Sequence, residues 1–351
     1  MTTLILASGD PMEHVLPHRF GGPIYHWDVH FTAPFHIFTV TPHDTYFTNH
    51  IMMTIVAAVI MLIVFPRLGR RYAAVLSGSP EQNVPTGFTN LMESMLQFVR
   101  NSVVRPILGE RTDQFVPFLW TTFFFILTCN LLGLIPLGAI FGLLSGGRLQ
   151  HIGGTATGNI MITGGLAACA FIMIHFSGSR QVYYDLVAGT YGHHEEATEA
   201  GHSADRHAHH GFRWPAPIAV VICPVLYLWN FAPHVFAPER TEGILDLLLW
   251  PADFFMWVVL LVLELIGSFI KAFALAMRLF ANMIAGHVVL ATIIGLILAF
   301  RGFAMQAGGG FLVALGGAAL SCLELFVAFL QAYIFMILTT LFISASVAPE
   351  H

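Results

Sequence analysis

Apolar residues gather along this chain in long tracts separated by polar connections. A helix needs about 20 predominantly apolar residues to cross the hydrocarbon core of a bilayer. Tracts of about that length or more run roughly over Phe47–Phe65 (stopping at Pro66), Val116–Pro136, Ile160–Phe176, Leu247–Phe300 and Phe311–Ala348. The last two are too long for an upright crossing, and a tilted or bent helix absorbs such an excess. The pattern predicts an all-α polytopic membrane protein with about five transmembrane helices, the last two long and tilted. A further apolar piece, Pro215–Pro233, carries Pro215, Pro217, Pro224 and Pro233. Each proline removes a backbone donor, so a re-entrant or surface-lying segment is expected there.

Two connections have character of their own. Apolar residues recur at Phe88, Leu91, Met92, Met95, Val99 and Val103. This stripe predicts an amphipathic helix near 86–104 lying on the cytoplasmic face. The other connection, 179–246, is a polar insertion loop containing His193, His194, His202, His207, His209 and His210. With five crossings, Arg67, Arg70, Arg71, Arg100, Arg105, Arg111, Arg180, Arg206, Arg213 and Arg240 share one side, against Arg19, Arg148 and Arg301 on the other. The positive-inside rule then puts the N-terminus outside and the C-terminus in the cytoplasm. The expected organisation is an extracytoplasmic segment 1–46, three spans over 47–178, the loop 179–246, and a long helical hairpin over 247–351.

Composition narrows the classes. Hydrophobic residues make up 56% of the chain and charged residues 10%, against about 25% charged in a soluble domain. A soluble enzyme could not hide so much apolar surface. The net charge of −5 comes without a basic patch, which excludes a nucleic-acid binder. Cys129, Cys169, Cys223 and Cys322 all lie in apolar runs without CxxC spacing and are expected as buried small hydrophobes. No cofactor or metal is expected. The first eighteen residues lack Lys and Arg, and Leu4–Ala7 is too short for the apolar core of a secretory leader, so none is expected.

Against this background the charges inside the apolar tracts stand out. A charged residue at the bilayer centre costs about 2.5–3.5 kcal/mol on insertion scales. The fourth tract holds Glu264, Lys271, Arg278, Asn282 and His287; the fifth holds Glu324 and Gln331. Glu264, Lys271 and Arg278 are seven apart, so each is offset by only about 20° from the last on a helix. Asn282 continues this ridge, with Ser268 beside it. Glu264 and Lys271 can bond each other across two turns. Arg278 cannot shed its charge to lower the cost of burial. His287 and Glu324 are either satisfied core groups or the two parts of a proton relay.

The blocks Arg278-Leu-Phe-Ala-Asn-Met-Ile-Ala-Gly-His287 and Leu330-Gln-Ala-Tyr-Ile-Phe-Met-Ile-Leu-Thr339 closely resemble subunit a of the F-type ATP synthase membrane sector. Asn130-Leu-Leu-Gly-Leu-Ile-Pro136, Asn159, and the spacing of Glu264 and Lys271 before the arginine add to the resemblance. It covers the chain from about residue 84 onward, apart from about 180–249. The resemblance implies a non-catalytic stator beside a rotating ring of subunit c, with two aqueous half-channels and a peripheral stalk subunit b as a further partner. It implies a multi-pass protein of the bacterial inner membrane. Arg278 matches the essential arginine, Asn282 and Gln331 its polar neighbours, and His287 and Glu324 the proton-path pair. Many bacterial members place the acid where this chain has His287 and the histidine where it has Glu324. The exchange found here resembles mitochondrial members and keeps one acid and one histidine.

The alternative reading is a secondary metal-ion transporter with a His-rich cytoplasmic loop, since imidazole binds zinc, copper or nickel. Its transport site needs several ligands on one intramembrane face. The intramembrane histidines are His175 and His287, and neither has His, Asp or Glu four residues away. A haem-binding respiratory subunit would need paired histidines on facing helices, and the same shortage argues against it.

Overall fold

A computed structural model describes residues 19–26, 31–32, 39–40, 44–76, 87–135, 137, 141, 144–146, 154–188, 215–231, 244–299 and 303–347. Two short antiparallel ladders come first. Strand β1 (Arg19–His26) pairs with β4 (Asp44–Thr48), and β2 (Phe31–Thr32) with β3 (Thr39–Val40). The β1–β4 register sets Arg19 against Thr48 and His26 against Asp44, with a bulge between Phe20 and Tyr25. The apolar-tract reading gave no sign of these strands, because they are too short and irregular to impose a period.

Among the described residues helices make up the rest of the regular structure. They are α1 (Asn49–Leu76), α2 (Phe88–Gln97), α3 (Arg105–Leu108), α4 (Thr112–Leu134), α5 (Ile160–Ala188), α6 (Ala216–Phe231), α7 (Ile244–Ala299) and α8 (Phe303–Val347). Five stretches are long and apolar enough to cross a membrane: Asn49–Arg70, Phe88–Leu134, Ile160–Ala188, Phe254–Gly286 and Ala314–Val347. The predominantly helical class and the five stretches able to span a membrane are thus as expected, with the short ladders over 19–48 added.

Several boundaries differ from expectation for definable reasons. Helix α1 runs through Pro66 instead of stopping there. Pro66 removes the bond to Leu62 O but leaves the remaining bonds of the helix in place; Arg67 Nη1 also donates to Ile63 O at 3.1 Å. Helix α4 does end before Pro136, with Ile135 extended as a pre-proline residue must be. The amphipathic stripe begins in α2 but passes into a π-helical turn over Phe98–Val104. That wider turn shifts the phase of the stripe. Val99, Val103, Val104 and Leu108 end up buried while Phe88 and Leu91 are exposed.

The segment expected as a loop over 179–246 is partly helical. Helix α5 continues to Ala188 and α6 occupies 216–231; the histidine tract 193–210 lies outside the described residues. At 16 residues α6 is shorter than the roughly 20 a crossing takes. Pro217 sits in its first turn, where a missing donor costs nothing. Pro224 lies inside, and the Cys223 thiol turns back onto Val220 O at 3.6 Å, the carbonyl that the proline leaves without its helical partner. Cys129 and Cys223 are buried as expected, whereas Cys169 and Cys322 are exposed on their helices; all four are free thiols.

The chain divides into two compact units. The first comprises Met1–Val103, Arg111–Gly165 and Leu275–Met336; the second comprises Val104–Glu110, Leu166–Ala274 and Ile337–His351. In the first, Met53, Ala57, Cys129 and Ala156 form a buried cluster. His50, also buried, bonds through Nδ1 to Thr155 O at 2.9 Å. Gly133 lets α4 approach Thr155, since a Cβ there would overlap its side chain. In the second unit, Val182, Leu186, Ala219, Cys223 and Tyr227 pack α5 against α6.

Candidate ion-path site

The first unit contains the arginine block and most of the glutamine block, Gln331 included. On α7, Leu275, Ala276, Leu279 and Met283 are buried, and they flank Arg278, which is exposed. Among the described residues Arg278 makes no hydrogen bond or ion pair. One turn on, Asn282 Nδ2 donates to Gln331 Oε1 at 3.3 Å. Gln331 is only 3% exposed, so this bond relieves an amide that burial would otherwise penalise.

Small residues bring α8 close to its neighbours. Ala328 and Ala332 flank Gln331 with no exposed surface, and such residues let backbones approach in apolar surroundings. Asn130 of α4 uses that proximity. Its Nδ2 donates to Ala328 O at 3.2 Å, and its Oδ1 accepts from Thr157 Oγ1 at 2.8 Å. Asn130 and Thr157 are both fully buried, so each satisfies the other. Thr157 escaped the sequence reading because a threonine in an ordinary turn carries no signal by itself.

Glu324 lies half-buried on α8 beside the backbone of α7. A Cβ at Gly286 would come within 2.8 Å of Glu324 Oε1 and 3.3 Å of its carboxyl carbon. Glycine at that position therefore makes room for the acid. His287 is the next residue of α7; its side chain lies outside the described ones. The role of Gly286 was hidden in the sequence, where it reads as one more small residue in an apolar helix.

The second unit holds the other half of the polar ridge. Lys271 Nζ and Glu264 Oε1 are 3.6 Å apart, and the ammonium lies 5.6 Å from the centroid of the Phe342 ring. The two-turn pairing open at the level of spacing is thus formed. His175 of α5 gathers a cluster that sequence reading did not assemble. Its Nδ1 is 2.9 Å from Tyr227 Oη and its Nε2 is 2.9 Å from Ser268 Oγ. Among the described residues no three His, Cys, Asp or Glu side chains come together in a way that would hold a metal ion.

Five stretches long and apolar enough to cross a membrane, carrying polar and charged side chains, are the mark of a polytopic membrane protein. The family described as ATP synthase A chain matches residues 47–192 and 211–344, and the chain belongs to it. Among similar proteins, "ATP synthase subunit a" of Chloroherpeton thalassium is 33% identical over 307 residues, covering 88% of this chain and 68% of the relative. "ATP synthase subunit a 2" of Chlorobaculum tepidum is 30% identical over 88% of this chain and 65% of its own length. The "ATP synthase subunit a" of an Anaeromyxobacter species is 32% identical over 97% of this chain and 60% of its own. The chain thus spans about two thirds of the length of these relatives. The match leaves out 193–210, the histidine tract, and includes α6.

Proposed function

We propose that this chain is the stator subunit of a proton-translocating rotary ATP synthase, working against a ring of subunit c and held by a peripheral stalk subunit b. It is not itself the catalyst of ATP chemistry. It sits in a bacterial inner membrane with its N-terminus outside and its C-terminus in the cytoplasm, an orientation supported by the arginine asymmetry.

The observation that carries the proposal is Arg278: an exposed, permanently charged group in an apolar helix, without a partner among the described residues. A ring carboxylate must be neutral while it faces lipid, because a bare charge there is costly. Beside a fixed cation its ionised form is favoured, so Arg278 makes it release its proton at the stator. The guanidinium has no acceptor and does not lose its proton, so it also bars a direct leak between the two half-channels. His287 and Glu324 pass protons along one half-channel, and Asn282 and Gln331 keep the surroundings of the arginine polar. The exposed apolar residues Phe255, Leu263, Phe269 and Phe273 on α7 suit a surface meeting lipid or a ring.

The test is ATP-driven proton uptake by inverted membrane vesicles carrying Arg278→Ala, with assembly checked by copurification of the ring. An assembled complex that no longer pumps is the expected result. Normal coupled pumping by assembled Arg278→Ala complexes would overturn the reading.

A further inference from the structure

We propose that Tyr227, His175 and Ser268 form a proton relay feeding the cytoplasmic half-channel, an inference that rests on reading the chain as a proton-conducting stator. Three different helices of the second unit supply the three groups: α6 the phenol, α5 the imidazole and α7 the hydroxyl. Both ring nitrogens are engaged, at 2.9 Å each, by hydroxyls. A carbonyl would pin a histidine equally well, but it has no proton of its own to exchange. A hydroxyl both donates and accepts, so the chain Ser268 Oγ, His175 Nε2 and Nδ1, Tyr227 Oη is competent to pass a proton from end to end.

The surroundings hold this chain in place. The rings of Phe171 and Phe231 lie 4.3 and 5.5 Å from the imidazole centroid. Tyr227 is 8% exposed, and its ring lies against Gly178 of α5, where a Cβ would overlap it. The apolar walls leave the two hydroxyls as the polar contacts of the ring. Ser268 stands one turn from both Glu264 and Lys271 and ten residues before Arg278 on α7. It is therefore on the cytoplasmic side of the arginine in the proposed orientation.

The transfer balances without any co-reactant. Ser268 Oγ receives a proton from the path and gives its own to Nε2; Nδ1 gives its proton to Tyr227 Oη, whose former proton leaves to water. One proton enters, one leaves, and rotation of the two hydroxyls with return of the imidazole tautomer resets the chain. Histidine suits the central place because one ring nitrogen accepts a proton while the other donates one.

The experiment uses the complete ATP synthase in inverted vesicles carrying His175→Gln, His175→Phe, Tyr227→Phe or Ser268→Ala. Glutamine keeps an amide able to bond both hydroxyls but cannot take up a proton; phenylalanine keeps the ring packing. Three quantities are read: ring copurification, ATP-driven proton uptake, and passive proton conductance after the catalytic heads are stripped. The proposal expects assembled His175→Gln complexes whose uptake and conductance both fall about tenfold or more, with smaller falls in the same direction for Tyr227→Phe and Ser268→Ala. Wild-type uptake and conductance in assembled His175→Gln complexes overturn it. Should the His175 variants fail to assemble, Tyr227→Phe decides alone, since it deletes one hydroxyl and keeps the ring: unchanged conductance overturns the relay, and a fall supports it. Arg278→Ala runs alongside. Loss of pumping there with full activity in the His175 variants removes only the relay, whereas full activity in both removes the stator reading itself.

Discussion

Lys271 and Arg278 stand seven residues apart on one helix, and the chain treats the two cations differently. Lys271 has a carboxylate at 3.6 Å and an aromatic face at 5.6 Å. Arg278 has no ion pair or hydrogen bond among the described residues. A charge in apolar surroundings is costly unless paired; the first cation is satisfied by groups of its own helix bundle, and under the proposed function the second is kept for a carboxylate of the ring. Self-satisfied charge holds helices together. On the proposed function, a charge without a partner among the described residues is the one available to the ring, a distinction that the even spacing of the ridge does not make.

The largest expected effect comes from making the second cation resemble the first. Arg278→Lys keeps a positive group and shortens little, so a purely electrostatic bolt would survive it. Burial strips protons from lysine but not from arginine, and a desolvated ammonium loses the charge that ionises a ring carboxylate. Assembled Arg278→Lys complexes are expected to lose coupled proton uptake as completely as Arg278→Ala. Uptake above half the wild-type rate would show that any cation serves, and the contrast with Lys271 would lose its meaning.

Next in size is Gly286. Glu324 lies so close to the α7 backbone that any Cβ meets its carboxylate. Alanine pushes aside only the mobile end of that side chain; valine adds two methyls and forces the acid off the helix. Proton uptake is expected to fall several-fold in Gly286→Val and less in Gly286→Ala, with ring copurification unchanged in both. Equal activity in all three would mean that the position of Glu324 is immaterial to the path.

A smaller, structural effect is expected at Asn130. Replacing it with leucine deprives the Thr157 hydroxyl and Ala328 O of a buried partner, at a cost of about 1–3 kcal/mol for an unsatisfied group. Asn130→Leu complexes should inactivate at lower temperature while pumping with normal coupling below it. Lost coupling at full thermal stability would move Asn130 from scaffold to path.

These residues also mark where sequence stops being sufficient. Tract length and the seven-residue spacing are local, so the five spans and the shared face of Glu264, Lys271 and Arg278 could be read directly. The Asn282–Gln331 bond joins residues 49 apart; the resemblance to a known family picked out both residues but not the bond between them. The partners of His175 are 52 and 93 residues away, and neither a tyrosine nor a serine in an apolar tract announces a partner. Helix α1 continues through Pro66 although proline is a local stop signal, and the π turn at 98–104 changed the phase of a stripe that was otherwise plain. At His175 a tertiary contact, and at 98–104 a change in helical pitch, lay beyond any local rule.

The smallest expected effect returns to the self-satisfied pair and is the sharpest test of the contrast. Removing one member leaves its partner charged in apolar surroundings, which is far more costly than removing both. Lys271→Met strands Glu264, and Glu264→Gln strands Lys271. Each single variant is expected to lower the yield of assembled complex. The double variant Lys271→Met with Glu264→Gln has no stranded charge and should recover yield, with proton uptake within about twofold of wild type. The measurement is a double-mutant cycle on complex yield and on uptake per assembled complex. If the double variant assembles in full yield yet pumps as poorly as Arg278→Ala, the pair belongs to the ion path, and pairing within the chain no longer separates structural charge from working charge.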